Sequence, residues 1–252
     1  MFPLRDLNPT RRTPVVTWAL IALNVLVWLF QWAHGSDGLQ ALVMRYGLIP
    51  DVLTGSDIWL PRSEGGALGA LITPLTSMFM HGGWLHLIGN MWFLYIFGDN
   101  VEDTLGRGRF LLFYLLGGLA AAAMQVAIGP HSTIPMVGAS GAISAVMAGY
   151  VMLFPRARVV TLVFIIIFIQ LIELPAFLFI FVWFGFQLLS ALGTLGSTGT
   201  GGGVAFFAHV GGFVAGIVLV RALLMGRPRG AQPESGPAPA FAKPRFDGRR
   251  WR

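Results

Sequence analysis

The chain has 252 residues, of which 55% are hydrophobic and only 11% charged, with no cysteine and a mean hydropathy of +0.71; soluble domains carry about 25% charged residues. That balance excludes a disordered chain, which needs low hydrophobicity, and a disulfide-stapled secreted module, which needs cysteine. The net charge of +6 raises nucleic-acid binding only until the positions of the bases are considered.

Three stretches without Asp, Glu, Lys or Arg dominate: residues 13–36, 65–98 and 110–155. A helix needs about 20 apolar residues to cross a hydrocarbon core. In chain order, a short segment 1–13 leads into a helix over 15–32. This run is longer than a signal-peptide core and no small-residue cleavage site follows, so it reads as a retained span. Further spans fall at 84–98, 110–128, 140–154, 174–192 and 204–224, some of them reaching full length only with flanking residues. The expected fold is all-α, a polytopic membrane protein of six transmembrane helices, with a membrane domain over 14–225.

Residues 159–192 are ambiguous. A single helix there would be about 51 Å long, too much for one straight crossing, and Gln170, Glu173 and Pro175 interrupt it. Residues 159–172 read as an interfacial or re-entrant lead-in to the fifth span, with one long kinked helix as the alternative; Glu173 then sits solvated near the interface. The segment 226–252, rich in Pro, Gly and Lys/Arg, cannot bury a core and reads as a disordered basic tail able to touch anionic lipid.

With six crossings, 15 of the 17 Lys and Arg fall on the side of the termini, leaving only Arg45 and Arg62 opposite. The positive-inside rule makes both termini cytoplasmic. A seventh crossing would put the tail outside. The basic pI is therefore topology, and no nucleic-acid partner is expected.

Polar groups inside spans are costly and mark candidate sites. His86 and Asn90 are four residues apart and share one face of the second span, whereas His81 lies half a turn away and belongs to the helix entrance. Ser140, within Gly138-Ala139-Ser140-Gly141, opens the fourth span, Ser144 follows one turn on, and His209 lies early in the sixth. At 1.5 Å per residue, Ser140, His209, His86 and Asn90 all fall within roughly 10 Å of the outer helix ends. A hydroxyl and an imidazole at one depth are the minimum for nucleophilic catalysis, and nearby donors suit a developing oxyanion. No Asp or Glu is spaced to orient the imidazole, which favours a dyad over a triad. Taken alone, Gly-x-Ser-Gly, and Gly211, Gly212 and Gly216 beside His209, are helix-packing devices. Close packing and a catalytic pair are compatible, because packing is what brings the fourth and sixth spans together. A metal site for the three histidines lacks cysteine, nearby carboxylates and a common helix face.

With its motifs His81-Gly-Gly-Trp-Leu-His86-Leu-Ile-Gly-Asn90, Gly138-Ala139-Ser140-Gly141 and Ala208-His209-Val210-Gly211-Gly212, in that order on the second, fourth and sixth spans, the chain resembles the rhomboid family of intramembrane serine proteases. The resemblance implies that Ser140 is the nucleophile and His209 its base. It implies that His86 and Asn90, with the Ser140 N–H, stabilise the oxyanion, and that single-pass transmembrane proteins are the substrates. No metal or cofactor is implied, and no oligomeric state follows. Residues 34–80 look like the family's external loop, lying partly in the membrane. The orientation fits a bacterial inner membrane, with an organelle membrane as the alternative. Two departures stand out: Trp59 and Arg62 are not the adjacent Trp-Arg pair of many members, and Ser144 occupies the position, one turn after the nucleophile, where members often stack an aromatic on the histidine. The rival readings are a catalytically inactive relative that binds transmembrane helices, against which the joint presence of Ser140 and His209 counts, and a solute transporter, at which only the Pro175 region hints.

Overall fold

Helix α1 (Val15–Ala33) buries a face that carries Thr17, Leu20, Asn24, Trp28 and Gln31, so its polar side chains point inward while most of its apolar ones point outward. Thr17, Asn24 and Gln31, spaced seven apart on one face, are fully buried, while Trp18, Leu26, Phe30 and Trp32 are exposed. A surface arranged this way suits an apolar surrounding. The computed structural model describes residues 1–55, 66–165, 168–194 and 205–225. The expected disordered tail, Trp59 and Arg62 lie outside the described residues.

The expected helices are present as α1, α5 (Trp84–Leu105), α6 (Arg107–Ile128), α7 (Ser140–Leu153), α8 (Ala176–Thr194) and α9 (Phe206–Leu224). Between α1 and α5 lie α2 (Gly35–Tyr46), α3 (Pro50–Thr54) and α4 (Gly66–Thr76), so the 34–80 segment is largely helical where it is described. Three helices, α1, α6 and α9, are long and apolar enough to cross a membrane; Leu68–Phe79, Ser140–Leu153 and Ala176–Leu189 are shorter apolar helices. α5 runs seven residues beyond its expected end because Asp99 and Glu102 are buried rather than solvated. The Glu102 carboxylate accepts bonds from Val16 N (2.9 Å), Thr17 N (2.7 Å) and Thr17 Oγ1 (2.8 Å). It thereby caps an α1 start that has no side-chain cap of its own and places an anion at the positive helix end.

The fold is predominantly helical but not all-α. The described residues of 159–172 are not part of a long helix: β2 (Arg158–Ile165) and β3 (Phe168–Pro175) pair antiparallel from Arg158↔Pro175 to Ile165↔Phe168. β1 (Phe2–Asp6) pairs antiparallel with β2, giving the order β1-β2-β3. The cause is composition. Val, Ile, Thr and Phe fill this stretch, and branched and aromatic side chains favour a pleated surface over a helix. Folding the strands back on each other also resolves the excess length, leaving 19 residues for α8. Glu173 stays near solvent and pairs with Arg158 at 3.2 Å.

Segment 1–13 is built into the same end of the molecule. Pro3 O accepts from Trp92 Nε1 (2.7 Å), Asp6 Oδ2 accepts from Tyr150 OH (2.9 Å), and Asp103 Oδ2 accepts from Arg11 N (2.9 Å). Arg109 also reaches this end, donating to Leu223 O at 3.1 Å.

α7 is the central helix, buried from Gly141 to Val151 between α5, α6 and α9. Its contact with α9 is backbone on backbone: a Cβ on Gly212 would strike the Gly141 carbonyl, and one on Gly216 would strike Ala145. The Gly-x-x-x-Gly spacing on α9 thus packs helices, and in doing so brings His209 to Ser140.

Candidate active site

Ser140 is the first residue of α7, where backbone N–H groups have no partner within the helix. Gly138, just before it, has φ +125, a conformation L side chains rarely adopt, and its N–H donates to Ser77 O at 2.8 Å. A Cβ here would lie 2.7 Å from Cε1 and Nε2 of His86 and 3.6 Å from Asn90 Nδ2. Only glycine lets the His86 ring and the Asn90 amide close over the backbone leading to Ser140.

His209 sits in the first turn of α9, fixed there by Ala208 N–H donating to Gln125 Oε1 of α6 at 3.2 Å. Its ring is buried, with Nε2 2.7 Å from Ser140 Oγ. Its Nδ1 is 2.6 Å from Gln187 Oε1 of α8. The Trp183 ring, also on α8, lies 6.0 Å from the His209 ring at 35°, and Phe206 meets it edge-on at 6.3 Å. Ser144 donates its hydroxyl to Ser140 O at 2.7 Å, a local bond within α7. The aromatic neighbour that α7 lacks is supplied by α8.

His86, three residues into α5, accepts Gly82 N–H on Nδ1 at 3.4 Å, which leaves Nε2 as the protonated nitrogen beside Gly138. Asn90, one turn on, is buried, and its Nδ2 has no hydrogen-bond partner among the described residues. His81 lies outside α5, at its entrance, with its backbone clamped by Gln31 through two bonds of 3.0 and 3.1 Å. The predicted residues Ser140, His209, His86 and Asn90 all line one cavity of about 680 Å³, together with Gln187 and Trp183. Among the described residues, no group of three or more His, Cys, Asp or Glu side chains is arranged to hold a metal ion.

A hydroxyl held by a buried imidazole beside two unengaged donors is a nucleophile–base arrangement with an anion pocket. The Rhomboid domain profile matches residues 69–226, well over half of the chain. The chain belongs to the rhomboid family. It is 30% identical over 130 residues to Rhomboid protease GluP of Bacillus subtilis, covering 52% of this chain and 23% of that protein. It is 30% identical over 206 residues to the human Presenilin-associated rhomboid-like protein, mitochondrial, covering 79% and 45%. Rhomboid-like protein 11, chloroplastic, of Arabidopsis thaliana is 39% identical over 74 residues, 29% of this chain and 26% of that one. The chain spans less than two thirds of the length of the relatives it matches. Family and helix composition together make this rhomboid an integral membrane protein.

Two residues of the rhomboid site escaped sequence reasoning, Gln187 and Trp183. The signal for Gln187 was present: it is a single amide in the apolar run 176–189, and an uncompensated polar group within a span marks a candidate site.

Proposed function

We propose that this rhomboid is an intramembrane serine endopeptidase that cleaves single-pass transmembrane proteins in or near their membrane segment. The observation that carries the reading is the 2.7 Å contact between Ser140 Oγ and His209 Nε2 inside the cavity. In this mechanism His209 Nε2 takes the Ser140 hydroxyl proton as Oγ attacks the scissile carbonyl. The oxyanion accepts from Asn90 Nδ2, His86 Nε2–H and the Ser140 backbone N–H. His209 then protonates the leaving amine, and water, activated by the same imidazole, hydrolyses the acyl-enzyme. The fixed donors stabilise charge only as it develops, so they act on kcat rather than on substrate binding.

The same reading gives six crossings, by α1, α5, α6, α7, α8 and α9, with the arginine-rich end and both termini in the cytoplasm and the site toward the opposite face. A bacterial cytoplasmic membrane fits this orientation. The domain plan is a cytoplasmic segment over 1–13, a membrane unit over 14–225 and a basic cytoplasmic tail over 226–252.

The test is cleavage of a transmembrane reporter by the purified protein in proteoliposomes. Wild type is expected to cleave, and Ser140→Ala and His209→Ala to lose cleavage alike while retaining their folded elution profile, because paired catalytic groups act as a unit. Undiminished cleavage by Ser140→Ala refutes the assignment. An inert wild type that still captures the reporter supports the helix-binding alternative.

A further inference from the structure

Trp183 and Gln187 are four residues apart on α8 and therefore face the same side, toward His209. The Gln187 Oε1 contact at 2.6 Å has a chemical consequence. An amide oxygen only accepts, so Nδ1 of His209 must carry the ring proton. A neutral imidazole has one such proton, so Nε2, facing Ser140 Oγ, holds the lone pair. That is the tautomer a general base needs. Were Gln187 turned to donate, the proton would sit on Nε2, directed at the nucleophile, and the ring would have no capacity to take the Ser140 proton. α7 does not offer this control, since Ser144 spends its hydroxyl on Ser140 O.

We propose, on the basis of the protease reading above, that Gln187 is the positioning residue for the catalytic base, holding His209 in its Nδ1–H tautomer while Trp183 limits the tilt of the ring. The hydrogen-bonded chain is then of three, Ser140–His209–Gln187, assembled from α7, α9 and α8. The third member is a neutral acceptor. It fixes the tautomer and orientation that an acid provides in a triad, without the acid's charge to stabilise the imidazolium. Because α8 follows directly on β3, the sheet sets where this acceptor stands. Among the described residues lining the cavity, the other titratable group besides His209 is His86 of α5.

The test compares full-length wild type, Gln187→Leu and Gln187→Glu on a transmembrane reporter across pH. Gln187→Leu is expected to lower kcat about tenfold to a hundredfold, the range for leaving a buried polar group unpaired, with KM within about twofold. Gln187→Glu keeps an acceptor in place. It is expected to hold kcat within about threefold at its optimum and to move the acidic limb of the profile upward by about one pH unit, because a carboxylate favours the imidazolium. Wild-type kcat in Gln187→Leu, or equal impairment in both variants with the acidic limb unmoved, overturns the proposal, the latter being the signature of a packing residue. ¹⁵N-histidine spectra of the wild type give a readout that does not depend on any variant folding: His209 protonated on Nδ1 supports the proposal, and on Nε2 overturns it. A wild type that neither cleaves the reporter nor reacts with a fluorophosphonate removes the protease reading and this inference together. An active wild type matched by Gln187→Leu removes this inference alone.

Discussion

Replacing Gly138 by Ala probes the site through a single methyl group. With φ at +125, an alanine there is strained, at a cost of about 1–3 kcal/mol for a residue in a sparsely populated region. The added Cβ also lands 2.7 Å from two atoms of the His86 ring, nearly an ångström inside carbon contact distance. The backbone has little room to yield, because Gly138 N–H is bonded to Ser77 O and Ser140, two residues on, is bonded to buried His209. His86, at the accessible edge of the cavity, must swing away. Losing one oxyanion donor costs about 10²–10³ in kcat, so Gly138→Ala is expected to fall by at least about a hundredfold in reporter turnover while its thermal midpoint in detergent drops by about 2–12 °C and the protein stays folded at the assay temperature. The assay pairs reporter kinetics with scanning fluorimetry on one preparation. A folded Gly138→Ala protein with wild-type turnover refutes both the placement of His86 and its role.

Three further outcomes follow from the same geometry. Asn90→Ala removes a buried donor that bonds nothing among the described residues; kcat should fall about a hundredfold while the thermal midpoint stays within about a degree, measured on one sample. Gly212→Ala drives a methyl into the Gly141 carbonyl, so α7 and α9 must separate, and both the thermal midpoint and reporter turnover should fall together. Glu102→Gln leaves at least one of the three donors at the start of α1 facing an amide NH₂. It should destabilise by about 1–3 kcal/mol, seen as a lower midpoint, with turnover per folded molecule unchanged.

Much of this architecture was legible because apolar runs and their polar exceptions carry the information. Helix rise and chain direction alone set Ser140, His209, His86 and Asn90 at one level, and the four line one cavity. What was not legible depended on partners distant in sequence. Asp99 and Glu102 looked like the end of a span, yet Glu102 is buried against the start of α1, and α5 continues until Gly106 at φ +81. In residues 159–172 hydropathy does not separate an apolar strand from an apolar helix; their wealth of Val, Ile and Phe is the sign of β2 and β3. The ordering of segment 1–13 required β2 as its partner. Gln187 is not marked by the absence of an orienting Asp or Glu, because its neutral amide oxygen can accept from His209 as an acid would.

The most direct measurement is reaction of the purified protein with a fluorophosphonate, followed by mass spectrometry of the labelled peptide. A single phosphonyl adduct on Ser140, formed at least about a hundredfold more slowly in His209→Ala, is the predicted result for a serine whose proton is taken by that imidazole. An adduct on any other residue, or equal labelling rates with and without His209, contradicts it.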